Sequence, residues 1–316
     1  MQPRFITRDE IRRVLTFEAC VPLMREAMIA VSGGGINQPP RQILPLRSGK
    51  GVFGVMPGVI ADDRFGAKLI SAFRHPESSP LPAHQGVVVL FDPQTGSPAC
   101  VLDAGEITRI RTAAASALAT DALARPDASR LAVLGTGEQA EAHIRAISAT
   151  RPLSRIVIWG RNPDHARRLA IELHANEGFE IEVAEDVRSA VAEADIVCTT
   201  TSAAEPILKG AWLPDGAHVN LVGSSRAGPA EVDEDLVSRS RYFVDSRENV
   251  LAQGAEFINA RASGRVDEHH ILGEIGEVLA GRVAGRASAS EVTAYKSLGA
   301  IAQDLWSGWY VYQTLQ

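Results

Sequence analysis

Arg130-Leu-Ala-Val-Leu-Gly-Thr-Gly-Glu-Gln-Ala140 decides how this chain folds. Leu131 to Leu134 reads as a short buried strand, the glycines as a turn, and Glu138 as the opening of a helix. Gly135, Gly137 and Ala140 take the three small-residue positions of a dinucleotide-binding turn, with Thr136, Glu138 and Gln139 beside them. The first small residue allows a sharp turn, the second lets backbone N–H groups approach a pyrophosphate, and the third lets the helix pack close to the strand. The helix start adds unpaired N–H groups and a positive dipole end. A helix over Glu138–Ala149 and a strand over Ser154–Trp159 complete a βαβ unit.

Downstream, strands are expected at 131–134, 155–159, 180–183, 195–200, 217–222 and 241–244. Helices are expected near 138–149, 163–176, 186–193 and 232–239. This alternation is that of a doubly wound parallel sheet, an α/β Rossmann architecture. Upstream the pattern differs. Thr7 and Glu10 form a capping box for one helix, and a second spans Thr16 to about Ser32 and ends at Gly33-Gly-Gly35. Gln38-Pro-Pro-Arg-Gln-Ile-Leu-Pro-Leu46 must be extended. Strand-like runs at Gly51–Met56, Arg64–Ser71, Gly86–Asp92 and Ala99–Leu102 predict an α+β unit with a meandering sheet. An alanine-rich helix, Glu106–Ala124, leads to the glycine turn. The stretch Ala294–Thr314 carries Leu298, Ile301, Ala302, Leu305, Trp306, Trp309 and Tyr310 at helical spacing, which predicts a helix returning to the N-terminal half. Gly299 and Gly308 would let that helix pack closely.

The chain has 316 residues, 45% hydrophobic and 22% charged, as in ordinary globular proteins. A net charge of −6 argues against a general nucleic-acid surface. No run approaches the length of a membrane span, and the charged start lacks a signal-peptide core. Cys20, Cys100 and Cys198 are far apart and read as buried small residues in a reducing cytoplasm.

The place where an NAD site carries an acid reads Trp159-Gly160-Arg161-Asn162. An arginine there suits a 2′-phosphate, so NADPH is the expected cofactor, with NADH as the alternative. Thr199, Thr200 and Thr201 end the fourth strand of this half; their hydroxyls either approach the nicotinamide side or cap the next turn. No metal-ligand, Cys-His or Ser-His-Asp constellation is present, and His269-His270 reads as surface because neighbours on a helix point apart. Arg41, Lys68 and Arg111 are cations in apolar surroundings, where a charge needs a partner. Taken singly each is an ordinary ion-pair residue; converging, the three would suit a small carboxylate.

These stretches together resemble the ornithine cyclodeaminase/μ-crystallin family: Gln38-Pro-Pro-Arg41, Val55-Met-Pro-Gly58, Gly66-Ala-Lys68, His84-Gln-Gly86, Ile110-Arg-Thr-Ala-Ala-Ala-Ser116, Leu134-Gly-Thr-Gly-Glu-Gln-Ala140, Val222-Gly223 and Tyr295-Lys-Ser-Leu-Gly299. The resemblance implies a substrate-binding and dimerisation domain over 1–118 and 294–316, a Rossmann NAD(P)-binding domain over 119–293, and a homodimer. It implies that Arg41, Lys68 and Arg111 hold a substrate carboxylate beneath the nicotinamide, that Lys68 assists proton transfer, and that Val222 and Gly223 line the cofactor.

Two departures bear on substrate. Ser225 stands where ornithine cyclodeaminases carry an acid after Val-Gly-Gly, and Gly54 stands where a second acid meets ornithine's amino end. The expected activity is therefore NAD(P)H-dependent reduction of a cyclic ketimine carboxylate. The candidates are Δ1-pyrroline-2-carboxylate, giving L-proline, and Δ1-piperideine-2-carboxylate, giving L-pipecolate. Lys68 and Ser225 are the candidate catalytic groups. Ornithine or lysine cyclodeamination, alanine dehydrogenation and opine-type synthesis are alternatives on the same scaffold. A crystallin-like NADPH-binding protein without turnover is the alternative of another class.

Overall fold

The computed structural model describes residues 3–60, 64–73, 81–82 and 84–316. The chain divides into two compact units, 1–111 with 300–316, and 112–299.

The first unit opens with strand β1 (Arg4–Ile6) and helices α1 (Arg8–Val14) and α2 (Phe17–Ser32). Thr7 and Glu10 form the predicted capping box on α1, each side chain bonding the other's backbone N–H. Strands β2 (Gln42–Pro45), β3 (Gly51–Val59), β4 (Phe65–Phe73), β5 (His84–Phe91) and β6 (Pro98–Asp103) follow. They form a six-stranded sheet in the order β1-β6-β5-β4-β3-β2. The run from β3 to β6 is the predicted meander, antiparallel throughout; β2, read only as extended, adds to its edge, and β1, not foreseen, pairs parallel to β6.

Strand alternation puts Gly66, Lys68, Val88, Leu90, Cys100 and Leu102 on one buried face. The C-terminal helix α11 (Ile301–Thr314) packs there. Glycine permits the approach: a Cβ on Gly58 would stand 2.8 Å from Ile301 Cγ2, and one on Gly66 2.9 Å from Leu305 Cδ2. The long helix α3 (Ala104–Leu123) continues from this unit into the second.

The second unit contains β7 (Arg130–Leu134), α4 (Glu138–Thr150), β8 (Arg155–Trp159), α5 (Pro163–Glu177), β9 (Ile181–Val183), α6 (Val187–Val191) and β10 (Ile196–Thr199). It continues through β11 (His218–Leu221), α7 (Glu234–Arg239), β12 (Ser240–Val244), α8 (Arg247–Gln253), α9 (Ala255–Ala262), β13 (Ile271–Glu274), α10 (Ile275–Leu279) and β14 (Val292–Lys296). Eight strands lie in the order β13-β12-β14-β11-β10-β7-β8-β9, every pairing parallel. The chain steps from β7 outward to β8 and β9, then returns to β10 on the other side of β7. The switch point is thus between β7 and β10, and ligands of such sheets bind at the carboxyl ends beside it. Val133, Val197, Val219, Ala294 and Phe243 are all fully buried in central strands, as expected for a sheet covered on both faces.

One prediction is corrected here. Ala294–Thr314 is not one helix. Val292–Lys296 is a central strand between β11 and β12, and the helix begins at Ile301. Gly299 lies in the connection at φ +87°, a left-handed conformation, instead of on a helix–helix contact. Gly308 is in the helix, and a Cβ there would meet Leu90 and Leu102 of the sheet.

All three cysteines are free and buried. Among the described residues no helix is long and apolar enough to cross a membrane.

Candidate active site

The first unit gathers cations. Lys68 lies mid-strand in β4 and is 2% exposed; Arg111, in α3, is 5% exposed. Both reach the same acid. Lys68 Nζ and Arg111 Nε each donate to Asp304 Oδ1 at 3.1 Å. Lys68 also donates to Thr108 Oγ1 at 2.6 Å, and that hydroxyl donates onward to the Ala104 carbonyl at 2.6 Å. Arg111 Nη1 donates to Gln303 Oε1 at 2.7 Å.

Arg41, half-buried ahead of β2, lies close enough for its charge to act on Lys68. Burial lowers the Lys68 ammonium to about 8; Asp304 opposes the shift, and Arg111 and Arg41 add to it. So the structure brings together the three cations singled out in the sequence, and adds Asp304, Gln303 and Thr108, which were missed. Gln303-Asp304 is a polar pair inside an apolar helical stripe, a signal the sequence carried. Lys68 and Arg111, both buried, share the one carboxylate oxygen Asp304 Oδ1.

The second unit presents a row of strand ends. Gly135 N–H donates to Trp159 O at 2.8 Å, and Thr200 N–H to Leu134 O at 2.8 Å. Val222 and Gly223 N–H both donate to Thr199 O at 3.1 Å. The carboxyl ends of β8, β7, β10 and β11 are thereby tied into one edge. Gly135 has φ +132°, and a Cβ on it would stand 2.6 Å from Thr200 Oγ1 and 2.8 Å from Thr200 O. Gly137 is the N-cap of α4 without a side-chain cap, and no described atom lies within 4 Å of where its Cβ would be. Ala140 is fully buried against the sheet. Thr136 and Gln139 are half-buried and Glu138 exposed. An open, uncapped helix start behind a strained glycine fits a pyrophosphate.

Arg161 is exposed just beyond β8, and Asn162 caps α5, its Oδ1 accepting from Asp164 N–H at 3.0 Å. Thr199 is fully buried, and its hydroxyl donates to Glu231 Oε2 at 2.7 Å. Glu231 also accepts from Thr201 N–H (2.6 Å), Thr201 Oγ1 (2.7 Å) and Gly223 N–H (2.7 Å). One buried carboxylate thus fixes the ends of β10 and β11. Burial pushes its proton affinity up, against the pull of these donors and of Lys296. Lys296, at the end of β14, is 2.8 Å from Glu256 Oε2 and donates to the Ser224 carbonyl. Ser225 is exposed in the loop this network anchors, and Val222 is buried at its root. Glu231, Glu256 and Lys296 were missed as supports, because their partners are distant in sequence. His269 is exposed and His270 half-buried, its Nε2 2.7 Å from the Val237 carbonyl, so neither joins the site.

The sequence profile of the ornithine cyclodeaminase/mu-crystallin family matches residues 1–316. The chain belongs to this family. It is similar to the ketimine reductase mu-crystallin of Rattus norvegicus, 34% identical over 317 residues that cover 99% of this chain and 97% of that one. The Delta(1)-pyrroline-2-carboxylate reductase of Paracoccus denitrificans is 34% identical over 250 residues, 78% of each chain. Among solved structures, the Thermococcus litoralis Delta(1)-pyrroline-2-carboxylate reductase, in complex with NADH and L-proline, superposes with a TM-score of 0.94. The two are 30% identical, and the match covers 98% of this chain and 96% of that one. The family assignment agrees with the resemblance read from the motifs.

Proposed function

We propose that this chain is an NAD(P)H-dependent ketimine reductase that reduces a cyclic imine carboxylate, Δ1-pyrroline-2-carboxylate to L-proline, with the six-membered homologue as a second substrate. The observation that carries the reading is the convergence of two buried cations, Lys68 and Arg111, on the single oxygen Asp304 Oδ1, with the Arg41 charge close enough to act on Lys68. That convergence suits a substrate whose one fixed charge is a carboxylate, with the guanidiniums gripping it through paired hydrogen bonds. Gly54 has Ile70 and Ile43 around its Cβ position, and Ser225 carries no charge. Neither position offers a carboxylate to a substrate's terminal amine.

When bound, a reduced nicotinamide would supply the hydride that the imine carbon takes up. Lys68 holds a proton: at neutral pH an ammonium with a pKa of about 8 is mainly charged, and its third N–H bond is left for the substrate beyond Thr108 and Asp304. Through that N–H it would hold the carboxylate of an imine bound in its protonated, electrophilic form, and the same ammonium would be a proton source for the product amine. Ser225 would hydrogen-bond the ring nitrogen or a water beside it. Gly135, Thr136, Gly137, Glu138, Gln139 and Ala140 would hold the pyrophosphate, and Thr199, Thr200, Thr201, Val222 and Gly223 the nicotinamide half. Arg161, with Asn162, would take the 2′-phosphate, giving NADPH the advantage over NADH.

The outer face of the six-stranded sheet supports a homodimer. Val55, Leu69, Val87, Val89 and Val101 are only half-buried there, and a contiguous apolar sheet face of this kind marks an interface. Three free, buried thiols fit residence in the cytoplasm.

The test is loss of NADPH absorbance with Δ1-pyrroline-2-carboxylate, with L-proline as product. No oxidation of NADPH or NADH by either ring size, with ammonia released from ornithine and NAD⁺, would overturn the reading.

A further inference from the structure

Lys68 and Arg111 come from different elements, β4 and α3, yet their nitrogens bond the same oxygen, Asp304 Oδ1. Two like charges this close repel unless an anion lies between them. Asp304 is fully buried on α11, and its other oxygen, Oδ2, has no hydrogen-bond partner among the described residues. Gln303, the residue before it, takes a second Arg111 donor. Thr108 takes a second Lys68 donor, its own hydrogen being committed to Ala104 O. The start of α11 thus holds Arg111 by two contacts and Lys68 by one, and Thr108 of α3 gives Lys68 its second.

The geometry points to Asp304 as a positioning residue that holds the Lys68 ammonium and the Arg111 guanidinium together so that both present donors to one substrate carboxylate. The inference rests on the carboxylate-binding reading of Arg41, Lys68 and Arg111 given above. Arg111 and Thr108 come from α3, Asp304 and Gln303 from α11, and Arg41 from the segment before β2. Cys20 of α2 stays neutral, its thiol pushed up to about 12 by burial. Of these groups Asp304 alone favours the charged lysine; burial, Arg111 and Arg41 all oppose it.

The probe is tetrahydrofuran-2-carboxylate, a five-membered ring acid with no titrating nitrogen. Its binding is measured by calorimetry between pH 6 and 9.5 with oxidised cofactor present. The parent protein should lose affinity above pH about 8, where Lys68 gives up its proton. In Asp304→Asn the loss should begin about one pH unit lower, with affinity at pH 7.5 down about threefold. Asp304→Glu should restore the parent pH dependence at reduced affinity, and Lys68→Arg should abolish the alkaline loss, since a guanidinium does not titrate there.

Equal weakening of Asp304→Asn at every pH, with the fall still near pH 8, would overturn the positioning role alone. A parent protein that binds no ring carboxylate at any pH would overturn the carboxylate reading, and the positioning role with it. Asp304→Ser is made alongside; failure of both neutral variants to fold would make Asp304 a structural requirement and also overturn the proposal.

Discussion

Gly135 and Gly137 stand two residues apart in one turn, and the structure assigns them opposite sensitivities to a single methyl group. At Gly135 an alanine must hold φ near +132°, with its Cβ 2.6 to 3.0 Å from three atoms of Thr200, two of them backbone. Thr200 cannot simply retreat, because its N–H bonds Leu134 O at the edge of β7. A backbone conformation of this kind costs about 1–3 kcal/mol. Adding the displaced strand end, Gly135→Ala should destabilise the fold by about 3–5 kcal/mol.

At Gly137 φ is −92°, ordinary for any residue, and nothing lies within 4 Å of the added carbon. There the fold should lose only about 0.5–1 kcal/mol, the cost of alanine as a helix N-cap. The methyl would instead occupy the approach to the start of α4. Cofactor affinity should fall about 10- to 100-fold, or about 1.4–2.7 kcal/mol. Urea unfolding followed by circular dichroism reads the first quantity and NADPH fluorescence titration the second. Gly137→Ala binding NADPH within twofold of the parent would refute the reasoning, as would Gly135→Ala with the parent's unfolding midpoint.

Arg161→Asp should lower the NADPH-to-NADH affinity ratio at least about tenfold, since it removes a guanidinium and adds a repelling charge; equal titrations with both cofactors, unchanged from the parent, would remove Arg161 from the site. His143 and His218 are buried and held neutral, with pKa values lowered to about 4 and about 3 by desolvation. The unfolded chain therefore takes up protons that the folded chain refuses. Stability is complete above pH about 6.5 and is lost as pH falls below it, towards the folded values, at about 1.4 kcal/mol per histidine per pH unit. Urea midpoints between pH 7 and 5 should show this fall, and His143→Gln should reduce it. Asp195, whose carboxylate accepts from the N–H groups of Ser129 and Arg130 and from the Arg125 and Arg130 side chains, ties the starts of β7 and β10. Asp195→Ala should cost about 3 kcal/mol by leaving those half-buried backbone donors and the two guanidiniums without their acceptor, measurable as a shift in the urea midpoint.

Local signals in the sequence translated directly into structure. The Thr7–Glu10 box, the glycine turn and the alternation from β7 to β10 involve residues close in sequence, where spacing alone encodes geometry. β14 was hidden because Val292–Lys296 adjoins an apolar helical stripe, and its partners are remote: Thr293 pairs with His218 and Ala294 with Tyr242. A fully buried parallel strand has no polar alternation to reveal it. β1 was hidden by its three-residue length. In the candidate site, Lys68 and Arg111 were visible as charges among apolar neighbours, because burying a charge demands a partner. The partner was not: Asp304 lies 236 residues from Lys68, and only folding brings the two together. Glu231 escaped for the same reason, since its donors sit on the ends of two other strands.

The three cysteines have a use outside catalysis. Cys20 and Cys100 belong to the first unit and Cys198 to the second, and burial pushes each thiol up to about 12. A thiol both covered and protonated is inert to alkylating reagents. Labelling must wait for the surrounding structure to open, so the reaction clock at each cysteine measures local unfolding. Mass spectrometry of one labelled sample would time the opening of each unit separately, with no engineered probe. It would also show which unit a bound cofactor or carboxylate quiets.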